Sequence, residues 1–329
     1  MPENLRGSKR NYELDRERSI LKKYMGRLPK RHILLIGKIL GRFLYFFDTH
    51  HRRIVWRNLY FSYPEWSRDQ VQNLSKRVFQ NYGIFILEVL QMAFSTREEM
   101  LTRAKIEGEE ILTAALSKQK GVIVVGAHLG NWELGLQYSP CYFQRPLTGV
   151  AKKLRNSTLD RLVHKFRTRF GNRIIYKKGA LPEMMQTLRQ GKILGLLMDI
   201  SRRFDGVEVQ FFGRKATATP AAALLALRCK SPVIPIFCHR NQMGDLVIKV
   251  ERPIEIQRTG DLRSDLQTNT QLITDRVEQA VRKNPEQWNW ILKRWKEFYP
   301  GLYPESKQRL QRLKMKAKRR RHKNFGPIA

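Results

Sequence analysis

Acidic residues are scarce in this chain: its 329 residues carry 29 Asp and Glu against 63 Lys and Arg, a formal net charge of +34. Such a balance points to polyanionic partners: nucleic acid, an anionic membrane surface, phosphorylated lipids or an acidic carrier protein. Cysteine is scarce too. Cys141, Cys229 and Cys238 have no C-x-x-C spacing, so neither a disulfide framework nor a zinc site is implied, and a reducing compartment suits them. Neither G-x-G-x-x-G nor G-x-x-x-x-G-K-[ST] occurs, which removes the usual dinucleotide and P-loop signatures. There is no G-x-S-x-G nucleophile elbow and no H-E-x-x-H, so hydrolase and zincin chemistry lack their motifs. Long apolar runs are missing as well. The most apolar stretch, residues 32–47, would reach about 22 Å as a helix, short of the ~30 Å hydrocarbon core. Met1 to Tyr24 is charged throughout and lacks the apolar segment of a signal peptide.

The 42% hydrophobic content is ordinary for a globular core. Runs of β-branched and aliphatic residues alternate with amphipathic segments. Strands are expected at 122–126, 147–151, 174–176, 193–198 and 207–212, then over PVIPIFCH and DLVIKV. Helices are expected from Ser67, whose S-x-x-Q spacing is a capping box, and over 107–118, 156–170, 180–190, 220–229 and 262–283. This pattern predicts a single α/β domain with a mixed, largely parallel sheet flanked by helices. Its limits are drawn at about 50 and 303. Residues 1–49 form a basic arm plus an amphipathic helix, and 304–329 a basic tail. In residues 32–47, Lys38 and Arg42 share one face while Ile33, Leu34, Ile36, Leu40, Phe43, Leu44 and Phe47 cover the rest. That suits an interfacial helix lying on a membrane, with packing on the domain core as the alternative.

The stretch GVIVVGAHLGNWELGLQ, residues 121–137, carries the chemistry. Its strand ends at Gly126, and Asn131 is placed to cap the following helix. His128 lies in the turn between them, at the carboxyl end of a strand, where α/β folds handle ligands. Glu133 stands five residues on, an offset of about 140° on a regular helix. The two would therefore meet only if the turn folds the imidazole back. Among the seven histidines this H-x4-E spacing occurs once. An imidazole held by a carboxylate, with no nucleophile to acylate, suits direct acyl transfer to a hydroxyl. A capping or backbone-bonded histidine is the plainer reading.

GAHLGNWELG resembles the H-x4-[D/E] signature of glycerolipid-type acyltransferases, in the form found in the bacterial lipid A secondary acyltransferases (the lauroyl and myristoyl transferases). The likeness continues through RNLYFSYPEWS, Arg155-Asn156 with KFRTRFG, GKILGLLMDISRR, QFFGRKATATPAAALLAL, SPVIPIF and NPEQWNWILKRWK, covering roughly residues 55–297. The resemblance implies a glycerolipid-acyltransferase-like fold and assigns roles. His128 would be the general base and Glu133 the group that orients it. Arg169 would hold phosphate or polarise the thioester oxygen, with Lys165 and Arg167 competing for that role. Asp199 matches the family's strand-end carboxylate, a capping Asp being the alternative. Arg214 would meet a phosphate or make a structural pair. Asn131 and Arg167 complete the substrate-binding set, and Trp288, Trp290 and Trp295 are expected in packing and interface anchoring. No metal or cofactor is required, because a thioester is already activated. The implied donor is acyl carrier protein or acyl-CoA, and the implied acceptor an anionic glycolipid. The implied location is the cytoplasmic face of the bacterial inner membrane. A phosphatidylinositol-mannoside-type acyltransferase is the nearest alternative. A nucleic-acid-binding protein is a different-class one, against which stands the lack of any RRM, KH or zinc-finger pattern.

Overall fold

The structure is a computed structural model that describes Tyr24, Gly26 and residues 28–202 and 205–305. The basic tail and most of the basic arm lie outside the described residues. Four helices lead in: α1 (Lys30–Phe47), α2 (Thr49–Ser62), α3 (Arg68–Ala93) and α4 (Arg97–Leu101). They are followed by β1 (Ala104–Glu107), α5 (Glu109–Ser117), β2 (Val122–Gly126), α6 (Trp132–Tyr142), β3 (Leu147–Ala151) and α7 (Ser157–Thr168). Next come β4 (Arg173–Tyr176), α8 (Leu181–Arg189), β5 (Ile193–Leu197), β6 (Val207–Phe211), β7 (Arg214–Ala218) and α9 (Ala221–Cys229). The series closes with β8 (Val233–Arg240), β9 (Leu246–Val250) and α10 (Leu262–Lys283).

Seven strands form one sheet in the order β1-β9-β8-β2-β5-β3-β4. The pairs β8–β2, β2–β5, β5–β3 and β3–β4 are parallel, whereas β9 runs antiparallel to β8. The expected largely parallel α/β sheet is therefore present. Every residue of β2 is buried, as a central strand covered on both faces requires. Its side chains alternate. Ile123 and Val125 pack with α9 and α10 through Leu225, Ile273 and Val277, while Val122 and Val124 pack with Leu112 and Ala115 of α5.

Four elements were not read from the sequence: α2, the five-residue α4, β1 and β7. β1 (AKIE) lies at the sheet edge with alternating exposure, too short and polar to stand out. The helix α2 carries only a weak apolar bias. The hairpin β6–β7 forms a separate two-stranded sheet joined by Phe212-Gly213, both at positive φ (54° and 64°), as a two-residue primed turn needs. The expected capping box is present: Gln70 N donates to Ser67 Oγ at 3.3 Å, and Ser67 N to Gln70 Oε1 at 2.8 Å.

The helix α1 docks on α3 through glycine. A Cβ built on Gly83 would lie 2.2 Å from the Gly37 carbonyl oxygen, and one on Gly41 2.3 Å from that of Phe79. The two backbones thus touch where side chains are missing. Packing on the domain core accounts for one face, where Ile33, Gly37, Gly41 and Tyr45 are buried on this contact, while Leu35, Ile36, Ile39, Phe43, Phe46 and Phe47 on the other face are exposed. Among the described residues, no helix is long and apolar enough to cross a membrane.

Candidate active site

The turn after β2 is stitched in place by backbone bonds from two directions. Gly130 N donates to Gln287 O and Asn131 N to Cys238 O, while His128 O accepts from Asn289 N, each at 2.9 Å. Gly130 sits at φ +57°, and a Cβ there would fall 2.0 Å from the Cys238 carbonyl oxygen. Only glycine lets the turn press this closely onto β8. Asn131 caps α6 by accepting from Leu134 N at 3.1 Å. Its amide donates to Glu88 Oε2 at 3.0 Å, and Glu88 is paired with Arg240 at 2.8 Å. Asn131 is fully buried, so in this state it positions the turn and does not reach outward to a substrate.

His128 is held by Asp199, not by Glu133. Its backbone N–H donates to Asp199 Oδ2 at 2.8 Å, and its ring Nδ1 lies 2.8 Å from Asp199 Oδ1. Trp288 Nε1 adds a third bond, to Oδ2 at 2.9 Å. The carboxylate is completely buried yet receives three donors. Burial alone would raise its pKa; the imidazole's charge and these hydrogen bonds overcome that and hold it below the usual 3.8. An ionised Asp199 can only accept, so Nδ1 carries the proton and Nε2 is left free as a base. For His128, burial works against the charged form, but the Asp199 charge and hydrogen bond, assisted by Glu133, raise its pKa above 6.5.

Glu133 has a different direct partner. Arg167 grips both of its carboxylate oxygens, Nε to Oε2 at 3.0 Å and Nη2 to Oε1, a two-pronged pair that suits planar guanidinium. The expected orienting contact between Glu133 and His128 is thus replaced by an effect through the electric field. The reason lies in the helix offset: Glu133 is committed to the first turn of α6, facing α7, while the strand end of β5 delivers Asp199 directly under the imidazole.

The competition among cations is resolved on α7. Arg167 joins the Glu133 side chain. Arg169 caps the C-terminus of α7; its Nε meets Gln137 Oε1, one turn beyond Glu133 on α6, at 3.4 Å, and its guanidinium stacks 4.2 Å from the Phe170 ring centre. Burial lowers its pKa to about 10, and its Nη2 has no partner. Arg214 opens β7 with its guanidinium over the Phe61 ring at 5.1 Å, on the separate hairpin and not beside His128. Trp288, Trp290 and Trp295 are buried in the core, so packing accounts for them and interface anchoring does not. The indole bond from Trp288 to Asp199 is a site contact that sequence reasoning missed.

Aromatic rings wall the imidazole: His128 and Trp132 lie edge to face at 5.1 Å between centres, and Trp132 stacks on Phe85 of α3 at 4.0 Å. A base with a free Nε2, a buried carboxylate behind it and an arginine–glutamate pair beside it can take a proton from a hydroxyl. Such a group can return that proton to a leaving group later.

The family described as bacterial lipid A biosynthesis acyltransferase matches residues 19–297. The chain is similar to the lipid A biosynthesis lauroyltransferase of Escherichia coli, 24% identical over 277 residues, which is 84% of this chain and 89% of that protein. It is also similar to the lipid A biosynthesis myristoyltransferase of the same organism, 25% identical over 279 residues, or 84% of each chain. A phosphatidylinositol mannoside acyltransferase of Mycobacterium tuberculosis is 23% identical over 225 residues, 66% of this chain and 68% of the relative.

Proposed function

The chain belongs to the bacterial lipid A biosynthesis acyltransferase family, and from that premise we propose that it moves a fatty acyl group from an acyl thioester to a hydroxyl of a lipid A precursor, with His128 as general base. The observation that carries this is the His128–Asp199 contact at 2.8 Å, which leaves Nε2 free. His128 Nε2 removes the acceptor's hydroxyl proton as the oxygen attacks the thioester carbonyl. The tetrahedral intermediate then collapses, the carbon–sulfur bond breaks, and the imidazolium returns its proton to the departing thiolate. Asp199 keeps the ring aligned and stabilises the imidazolium, as in other hydrogen-bonded His–carboxylate pairs. Arg167, paired with Glu133, stands ready to bind an anionic part of either substrate.

An acyl carrier protein suits the donor role, since such a carrier is acidic and this chain is strongly basic. Acyl-CoA is the alternative, and the phosphatidylinositol mannoside relative favours keeping a glycolipid acceptor of that kind in view. The exposed apolar face of α1, with Lys38 and Arg42 on the same helix, supports peripheral attachment to a membrane surface; the cytoplasmic face of the inner membrane is the location proposed with it. The test is to incubate the protein with acyl carrier protein and acyl-CoA donors and with lipid A precursors, and to read the lipid by mass spectrometry. An acyl mass added by the wild type and lost in His128→Ala is expected. Equal product from both proteins would remove the mechanism.

A further inference from the structure

The helix α7 has an apolar stripe that outruns its cover. Leu159, Leu162, Val163 and Phe166 follow the i, i+3, i+4, i+7 spacing of one helix face. Phe166 packs against the core beside Cys141 and Tyr138. Towards the helix N-terminus the cover ends, and Leu159 and Leu162 are 50% and 61% exposed. No residue of α7 is buried. The same exposed apolar character continues around the carboxyl edge of the sheet, at Leu154 after β3 and at Leu197 and Ile200 on either side of Asp199. β2, β5 and β3 are parallel neighbours, so the loops after them share that edge with His128. Asp160 ties the rim together by accepting from Leu154 N at 2.8 Å and Tyr176 OH at 2.9 Å.

Around these leucines stand Lys152, Lys153, Arg155, Arg161 and Lys165, all exposed. Asp160 is the only acid between residues 152 and 169, and it is engaged within the rim. Exposed leucines ringed by cations, with no acid left free, complement an anionic bilayer surface.

We propose that α7 and the adjoining loops form a second membrane contact, at the catalytic edge itself, which seats His128 over the headgroups of an anionic bilayer. This rests on the membrane-associated reading above but concerns a different surface from α1. It has a direct consequence: the acceptor hydroxyl would reach Nε2 without its lipid leaving the bilayer.

The test places an environment-sensitive fluorophore at Leu162→Cys, and separately at Phe43→Cys on α1, in a Cys229→Ser background; Cys141 and Cys238 are buried. The full chain is mixed with vesicles of phosphatidylethanolamine and phosphatidylglycerol. The expected result is a blue shift at both positions, and a Leu159→Ser/Leu162→Ser variant that partitions onto these vesicles on the order of tenfold more weakly. A probe at 162 that stays in water while the one at 43 inserts would overturn this inference and leave the α1 reading standing. No response at either position would sink both. A response at 162 to an acidic acyl carrier protein, but not to vesicles, would make the surface a protein dock and overturn the proposal.

Discussion

Trp288 donates its indole N–H to the same Asp199 oxygen, Oδ2, that accepts the His128 backbone N–H, at 2.9 Å and 2.8 Å. One buried carboxylate thereby joins the turn after β2, the end of β5 and the segment after α10. Its second oxygen, Oδ1, faces the imidazole. His128, the proposed base, is thus aligned by parts of the chain that are remote in sequence.

Replacing Asp199 by Asn should therefore keep the shape and lose the charge. The amide can present its N–H to the ring and select the wrong tautomer, so a fall in kcat of about 10²–10⁴-fold is expected. The pH profile should move as well. Asp199 raises the His128 pKa above 6.5 against burial, which lowers it. A general base must be neutral, so in the wild type the acidic limb of kcat/KM is expected above pH 6.5. With the carboxylate gone, burial is opposed only by Glu133, and the limb should shift to lower pH. A limb that stays in place would show that another group sets it.

Glu133→Gln tests the field effect separately. It removes one contribution to the His128 pKa and leaves the Nδ1 bond intact, so the acidic limb should shift down by less than in Asp199→Asn. Arg167→Lys should not restore wild-type kinetics, because a point cation cannot reproduce the two-pronged grip on both oxygens. Steady-state profiles of the three variants, side by side, decide the order.

The Glu88–Arg240 pair is buried, with side-chain exposures of 8% and 4%. Breaking it from one side strands a charge in the interior, at a cost of about 3–5 kcal/mol. Arg240→Met should lower the urea midpoint by that measure. Glu88 also holds the Asn131 amide, so activity should fall with it. Since burial pushes the Glu88 carboxyl above 4.5 despite Arg240, adding Glu88→Gln to Arg240→Met should recover part of the lost stability.

Gly83→Val is expected to separate α1 from α3. Even a single Cβ at this position meets the Gly37 carbonyl oxygen at 2.2 Å, so the helices must move apart, an overpacking cost of about 1–3 kcal/mol. Faster proteolytic release of the N-terminal segment, with the sheet still folded by circular dichroism, would report the separation.

Local pattern was sufficient for much of this molecule. The run from Val122 to Gly126 followed by Asn131 and a helix could be read directly, because strand burial and N-capping depend on residues within a few positions. His128 at a strand end, Asp199 at another and the Ser67 capping box were legible for the same reason. The short edge strand Ala104–Glu107 and the strand Arg214–Ala218 escaped, since their pairing depends on distant partners and their composition carries little signal. Tertiary structure alone chose the carboxylate for His128. Glu133 is five positions away but points from α6 to Arg167 of α7, whereas Asp199, 71 positions away, follows the end of the strand adjacent to β2. Adjacent parallel strands bring their carboxyl ends together whatever the sequence distance between them, and a helix turns near neighbours apart.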